Sequence, residues 1–320
     1  MTADVSTRLG LGLAALGRPA YITAGRDHDL AGRGVEQMRA RTAEVLDAAY
    51  ALGIRYVDTA RSYGRAEEFL ADWIAAHPEI TDVTVASKWG YRYVGDWQLD
   101  AAVHEVKDHS LDAFTEQFDQ SRALLGDRLG LYQVHSLTDD SPLWHDTDLQ
   151  QALAALRDNG TRVGLSTSGP NQDRAIRAAT DLEVDGAPLF SSIQSTWNLL
   201  ESSAGPALTE AHDRGYAIVV KECLANGRLA PGSDDTSAGV RVAREAAATV
   251  GLSIDQLAVA AAIAQPFSPR VLSGAVTVDH IESHVSGAQR TLSERLLETL
   301  AVSAEDPASY WASRSARAWS

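Results

Sequence analysis

Asp58, Tyr63, Lys88 and His135 are the side chains whose types and spacing could do chemistry together. The stretch Asp58-Thr59-Ala60-Arg61-Ser62-Tyr63-Gly64 follows a short apolar run, Ile54, Tyr56 and Val57, that reads as a strand. Asp58 therefore stands at a strand end and Tyr63 in the loop beyond it. Val83-Thr84-Val85-Ala86-Ser87 ends in Lys88, and Leu131-Tyr132-Gln133-Val134 ends in His135. A carboxylate, a phenol, an ammonium and an imidazole at three successive strand ends form an acid–base set, not a packing pattern. A phenol, with a reference pKa of about 10, is a poor acid near neutrality. An ammonium beside it favours phenolate, so Lys88 is expected to lower the Tyr63 pKa toward the working range. Asp58 is expected to anchor Lys88, and His135 to hydrogen-bond the oxygen that Tyr63 protonates. Such a set activates a carbonyl but supplies no electrons, so a redox cofactor or an isomerisation must complete the reaction.

The elements that must position these groups alternate along the chain. Apolar runs at Leu9–Leu16, Ile54–Asp58, Asp82–Lys88, Leu129–His135, Arg162–Ser166, Leu189–Ser195, Tyr216–Lys221 and Arg270–Ser273 read as strands. Helical periodicity fills the intervals at Arg39–Leu52, Ala66–Ala76, Leu111–Leu125, Leu149–Asn159, Gln172–Ala179, Ala204–Arg214, Gly239–Val250 and His280–Ala288, with a further helix at Ser253–Gln265 stopped by Pro266. Gly53, Gly126, Gly160 and Gly215 follow four of these helices as stop residues. Eight βα units predict a closed (β/α)8 barrel, a single domain over residues 1–320, rather than a doubly wound sheet. Gly10 and Gly12 fall inside the first strand, which argues against a dinucleotide fingerprint there. Three insertions stand out: a polar loop at Tyr21–Met38, the segment Trp89–Ser110, and a tail from Ala304 to Ser320 carrying Tyr310, Trp311 and Trp319. Loops at strand C-termini build barrel active sites, so Trp89, Tyr91, Trp97 and Trp144 are candidate substrate-binding residues.

Composition bounds the function classes. The 320 residues carry a formal net charge of −15, which argues against nucleic acid or an anionic membrane as a partner. No apolar stretch approaches a membrane span, and Met1-Thr2-Ala3-Asp4-Val5 lacks a secretory signal. With one cysteine, Cys223, the expected compartment is the reducing cytoplasm. Among 28 basic residues only three are lysines, and two of those, Lys88 and Lys221, fall at strand ends. His104, His109 and His145 lie in polar stretches and read as solvated surface; Cys223 reads as a small packing residue. No metal-ligand spacing occurs, and neither Ser166 nor Ser168 has a nucleophile-elbow context.

Asp58, Tyr63, Lys88 and His135, in that order on strands two, three and four, resemble the tetrad of the aldo-keto reductases. The resemblance spans nearly the whole chain. Asp58 to Gly64 followed by Glu67 resembles the family's first signature; Ser121-Arg122-Ala123-Leu124-Leu125-Gly126 leading into Leu131–His135 resembles its second. By that resemblance the chain is a barrel oxidoreductase interconverting a carbonyl, aldehyde, ketone or sugar-like, and its alcohol by hydride transfer. NADP(H) is expected ahead of NAD(H), bound across the C-terminal mouth. Ser166 and Gln194 would hold the carboxamide, and the loop Leu224–Arg228, with Asn226 and Gly227, would cradle the pyrophosphate. Gly274, His280 and His284 fall at the adenosine end.

Several positions depart from the family pattern. Lys221-Glu222-Cys223 replaces an aromatic run that stacks on the nicotinamide, so Lys221 is assigned to a phosphate or to Glu222. Thr167 replaces an asparagine. Gly274-Ala275, His280 and Ser283-His284 replace the lysine, arginine and Glu-Asn pair of NADP-dependent members, leaving Arg228 or Arg270 to supply charge. The altered loop admits an alternative, a cofactor-binding regulatory or sensor barrel without turnover. A third reading is a barrel isomerase or lyase using the same acid–base set.

Overall fold

The computed structural model describes residues 5–23, 32–267 and 269–319. Eight parallel strands close into a barrel: β1 (Leu9–Gly12), β2 (Tyr56–Asp58), β3 (Thr84–Trp89), β4 (Leu129–Leu137), β5 (Arg162–Thr167), β6 (Ser192–Thr196), β7 (Ala217–Lys221) and β8 (Arg270–Ser273). Each pairs with its sequence neighbours, and β8 returns to β1. The expected (β/α)8 barrel is the observed fold.

Alternation along each strand builds two cores. Outward side chains such as Leu11, Val57, Val85, Val134, Leu165, Ile193, Val220 and Val271 are buried against the helical ring. Inside, Tyr56, Ala86, Leu131, Val219 and Leu272 form a smaller cluster in the barrel. Register carries one inward row upward: Gly12 pairs with Asp58, Lys88 with Gln133, and Ser166 with Gln194. Because a one-residue slip would turn these groups into the helical layer, the buried faces fix the site's composition.

The helices follow as α1 (Val35–Ala51), α2 (Ala66–Ala76), α3 (Leu111–Leu125), α4 (Thr147–Asp158), α5 (Gln172–Asp181), α6 (Gly205–Asp213), α7 (Ala238–Thr249), α8 (Ile254–Ile263) and α9 (Val278–Ala288). Side-chain caps start several of them: Ser110 accepts from Ala113 N–H at 3.2 Å, Asp146 from Leu149 N–H at 3.0 Å, and Thr277 from His280 N–H at 3.2 Å. Gly53, Gly126, Gly160 and Gly215 all take positive φ, as a helix stop requires.

Three readings change. β1 ends at Gly12, because the chain turns immediately afterwards: the N–H groups of Leu16 and Gly17 both bond the Leu13 carbonyl. The expected loop Tyr21–Met38 ends earlier, at Gly34, whose N–H is capped by Gln37 Oε1 at 3.1 Å; residues 24–31 lie outside the described residues. The tail is helical, with α10 (Glu294–Leu300) and α11 (Pro307–Ser315). Among the described residues no single helix is long and apolar enough to cross a membrane.

Candidate active site

Asp58 and Lys88, at the ends of β2 and β3, are both buried and form an ion pair. Lys88 Nζ also donates to Thr59 O at 2.9 Å and to Tyr63 Oη at 3.3 Å, which uses all three of its donors. Asp58 Oδ2 accepts from Gln194 Nε2 at 2.8 Å and Gln133 Nε2 at 3.2 Å, so its charge is hydrogen-bonded on both oxygens. The loop carrying Tyr63 is held to β3 by Thr59 N–H to Ala86 O at 2.8 Å and Arg61 N–H to Lys88 O at 3.0 Å. It packs directly on the loop after β1. A Cβ on Gly17 would stand 2.3 Å from Tyr63 O, and one on Gly64, at φ +59°, 2.5 Å from Gly17 O. Only glycine permits that approach. His135, near the end of β4, brings Nε2 to 3.5 Å from Tyr63 Oη and Nδ1 to 3.4 Å from Ser62 Oγ. The four groups named from the sequence thus converge at one point.

The charge environment corrects one expectation. Lys88 does not bring the Tyr63 phenol down: burial and then the Asp58 carboxylate push it well above its ordinary value, with Arg18 opposing. The ammonium is shared among Asp58, Thr59 O and Tyr63 Oη, and it does not outweigh burial and the Asp58 carboxylate. Tyr63 is therefore a protonated donor. Burial, then the positive charges of Lys88, Lys221 and Arg18, drive His135 well below its usual range, so its imidazole is neutral.

A cavity of about 360 Å³ opens above these groups. Tyr91, Gln194, Lys221 and Gly274 line it, with Arg18, Tyr21, Glu105, Ser168, Glu222, Arg314 and Trp319. Arg18 is central. It donates to Ser62 O at 3.1 Å and Glu105 Oε1 at 2.6 Å, and its guanidinium lies 5.0 Å from the Tyr63 ring and 4.6 Å from that of Trp319. Sequence reasoning passed over it because an isolated arginine in a Gly-Arg-Pro turn carries no signal. Tyr91 packs edge-on against His135, ring centroids 5.0 Å apart.

The other proposed aromatics are elsewhere. Trp89 points outward into the helical layer against Phe114 and His109. Trp97 packs on Phe69 and donates to Arg33 O at 2.8 Å, and Trp144 donates to Thr138 O at 2.8 Å. None of these three lines the cavity. His104 and His109 are buried, against expectation, whereas His145 is exposed. His109 Nε2–H donates to His135 O at 2.8 Å, and Ser141 Oγ–H completes its Nδ1 at 2.9 Å, so His109 steadies the backbone of His135.

The loop after β7 is pinned from the tail. Lys221 Nζ donates to Thr196 Oγ1 at 2.7 Å and stands 3.8 Å from Glu222, while Glu222 pairs with Arg314 of α11. Burial lowers the Lys221 ammonium to about 8, with Glu222 opposing. Burial acts to raise Glu222, but Arg314 and Lys221 outweigh it and hold the carboxyl at about 2. Beyond this pair lies a larger cavity of about 790 Å³, lined by Leu224, Asn226, Gly227, Gly274, His280 and His284 among others; it shares Tyr21, Glu222, Leu272 and Gly274 with the first.

Ser166 is fully buried and its Oγ accepts from Ser136 N–H at 2.8 Å, leaving Ser168 to face the cavity. Thr167 turns away to Ser195 Oγ at 2.6 Å and Gln172 Oε1 at 3.1 Å. Arg228 lines neither cavity, being paired with Asp235 and Glu305. Arg270 opens β8 at the opposite end of the barrel, over the Tyr56 ring. Cys223 is buried packing, its thiol pushed up to about 12 by burial.

A protonated phenol held between an ammonium and a neutral imidazole, at the C-terminal mouth of a parallel barrel, defines an acid–base site. A model of the Aldo/keto reductase family matches residues 8–302, and the chain belongs to that family. It is an oxidoreductase of that kind. It is 25% identical to Protein tas of Escherichia coli (strain K12), over 82% of this chain and 89% of that protein. Pyridoxal 4-dehydrogenase of Microbacterium luteolum is 28% identical, over 70% of this chain and 69% of that one. Among solved structures, an aldo-keto reductase from Bacillus halodurans in its holo form superposes with a TM-score of 0.70 at 20% identity, covering 93% of this chain and 92% of that chain. The glycerol dehydrogenase of Gluconobacter oxydans gives 0.68 at 20% identity, covering 92% and 90%. The site residues are compatible with the family's nicotinamide cofactor. Two adjoining cavities run from Tyr63 to α9, and the far one presents buried acceptors, Asp255 Oδ1 and Asn226 Oδ1, with no donor.

Proposed function

We propose that this chain interconverts an aldehyde or ketone with the corresponding alcohol, using NADP(H) or NAD(H), with Tyr63 as general acid and base. The observation that carries this is Tyr63 Oη, 3.3 Å from Lys88 Nζ and 3.5 Å from His135 Nε2 on the floor of the smaller cavity. Gln194 would hold the nicotinamide, which would supply or accept the hydride. An oxygen lodged between Tyr63 Oη and His135 Nε2 receives two hydrogen bonds, with His135 Nδ1 turned to Ser62. Tyr63 gives its proton as the oxygen gains charge. Lys88 stabilises the phenolate left behind, and Asp58 keeps Lys88 in place. In oxidation the same phenolate takes the alcohol's proton.

Of the cofactor positions named from the sequence, Gln194 and Lys221 line the smaller cavity and would hold the nicotinamide end; Leu224, Asn226 and Gly227 line the larger one and would hold the middle, and His280 and His284, also lining it, would hold the far end. A small polar substrate suits the cavity, because Arg18–Glu105 and Glu222–Arg314 offer both donors and acceptors beside Tyr91 and Trp319. The relative named for pyridoxal, itself a small polar aldehyde, agrees with that class. One buried cysteine suits a reducing cytoplasm.

The test is Tyr63→Phe, assayed on a panel of aldehydes, ketones and sugars. Turnover is expected to fall about 10²- to 10⁴-fold while nucleotide affinity changes less than about threefold. Unchanged turnover removes Tyr63 from the mechanism. Tight nucleotide binding by the native protein without turnover of any carbonyl or alcohol would favour a sensor instead.

A further inference from the structure

The larger cavity is acidic. Asp234, Asp255 and Asp279 line it, and among the described residues no lysine or arginine does. The cations that sequence offered are spent elsewhere: Arg228 on Asp235 and Glu305, while Arg270 is at the other end of the barrel. Glu222, at the junction, is balanced by Arg314. Burial lowers the His284 imidazole to about 4, with Asp255, whose Oδ2 is 3.8 Å from its Nε2, opposing; its Nδ1 is engaged with Ser273 Oγ at 2.7 Å.

An independent feature points to what the cavity receives. Asp255 is buried; its Oδ2 accepts from Ser283 Oγ at 2.7 Å, and its Oδ1 has no hydrogen-bond partner. Asn226 Oδ1, across the same cavity, is also buried and unpartnered. A buried acceptor lacking a donor is costly, so a ligand that brings N–H or O–H groups is favoured there. An adenine amino group and a ribose 2′,3′-diol are such donors. A 2′-phosphate brings acceptors only, with a charge of about −1.5 to −2 at neutral pH by analogy with other phosphomonoesters.

We propose that this cavity takes the adenosine half of NAD(H) and rejects that of NADP(H). Asp255 is the acceptor for the nucleoside, and Asp234 and Asp279 repel a 2′-phosphate. The preference rests on the nucleotide-dependent reading above and reverses the cofactor order that the family resemblance implies.

The experiment is a titration of the pure protein with NADH, NADPH, ADP-ribose and 2′-phospho-ADP-ribose, followed by tryptophan fluorescence and calorimetry. NADH is expected to bind at least about tenfold tighter than NADPH, and the two redox-inert fragments to reproduce that ratio. Salt should narrow the gap, since like-charge repulsion is screened. Asp234 and Asp279 are exposed, so the double variant Asp234→Asn/Asp279→Asn keeps the fold, and it should gain NADPH affinity several-fold with NADH nearly unchanged. Equal or tighter binding of NADPH by the native protein overturns the preference and leaves the oxidoreductase assignment standing. An unaltered ratio in the double variant overturns the role of the two aspartates. Failure of all four ligands to bind removes the nucleotide-dependent function and the preference together.

Discussion

At the residue scale, the Lys88–Asp58 pair is where stability and chemistry meet. Both side chains are buried, and removing one partner of a buried pair leaves the other charge uncompensated, a loss of about 3–5 kcal/mol. Lys88→Met is expected toward the lower end of that range, because Asp58 keeps the amide donors of Gln133 and Gln194. Asp58→Asn strands an ammonium left with only Thr59 O and the Tyr63 hydroxyl. In urea unfolding, the double variant should therefore lose less stability than the sum of the singles. Strict additivity would mean the pair is not coupled. These side chains were legible in the sequence because each ends a strand, where type and position coincide. The direction of the Tyr63 shift was not, because it depends on how deeply the phenol is buried and on what already occupies Lys88.

At the scale of elements, the tail helix α11 is one wall of the site. Asp306 caps it by accepting from Ser309 N–H at 2.9 Å, Asn198 Nδ2 donates to Tyr310 Oη at 3.1 Å, and Arg314 pairs with Glu222 on the β7 loop. That loop holds Glu222, Ala225 and Asn226 at positive φ, so it needs outside support. Glu222→Gln is expected to loosen α11, seen as faster proteolysis after Ala304 and a raised KM with a smaller change in kcat. A kcat loss without either effect would place Glu222 in the chemistry instead. Because Glu222 is held at about 2, below its ordinary 4.5, its contribution is full above pH 4.5 and disappears as pH falls toward 2. The strands and ring helices were legible because parallel strands buried on both faces read as apolar runs and the helices between them as periodic stretches. The tail was not, since a nine-residue helix anchored by the buried Tyr310 and Trp311 and by the Arg314–Glu222 pair leaves little periodic trace. The hairpin Tyr91–Tyr93 with Glu105–Lys107 was missed for the same reason, and with it the partner of Arg18.

For the whole molecule, net charge and buried groups pull stability in opposite directions with pH. The chain carries −15 at neutrality with a pI of about 5.0, so acidification toward pH 5 relaxes its self-repulsion. Buried imidazoles oppose this, His135 among them. Burial holds His109 at about 4, helped by Lys107, and His284 at about 4, both below the ordinary 6.5. The unfolded chain takes up those protons first, so stability is full above pH 6.5 and declines as pH drops to 4; His109 alone accounts for about 1 kcal/mol between pH 7 and 5.5. Specific desolvation is local and scarcely screened, whereas repulsion among exposed carboxylates is weakened by salt, so at 0.15 M the imidazoles should win. Lys221 extends the trend: held at about 8 against an ordinary 10.5, it makes stability rise as pH climbs from 8 to 10.5. Tyr56, Tyr63 and Tyr132, raised by burial, reverse it above pH 10, where only the unfolded chain ionises. Urea midpoints at pH 5.5, 7 and 8.5 should therefore increase in that order, and His109→Gln should flatten the lower step. A midpoint that peaks near pH 5 would mean that charge repulsion, not burial of these groups, governs the fold.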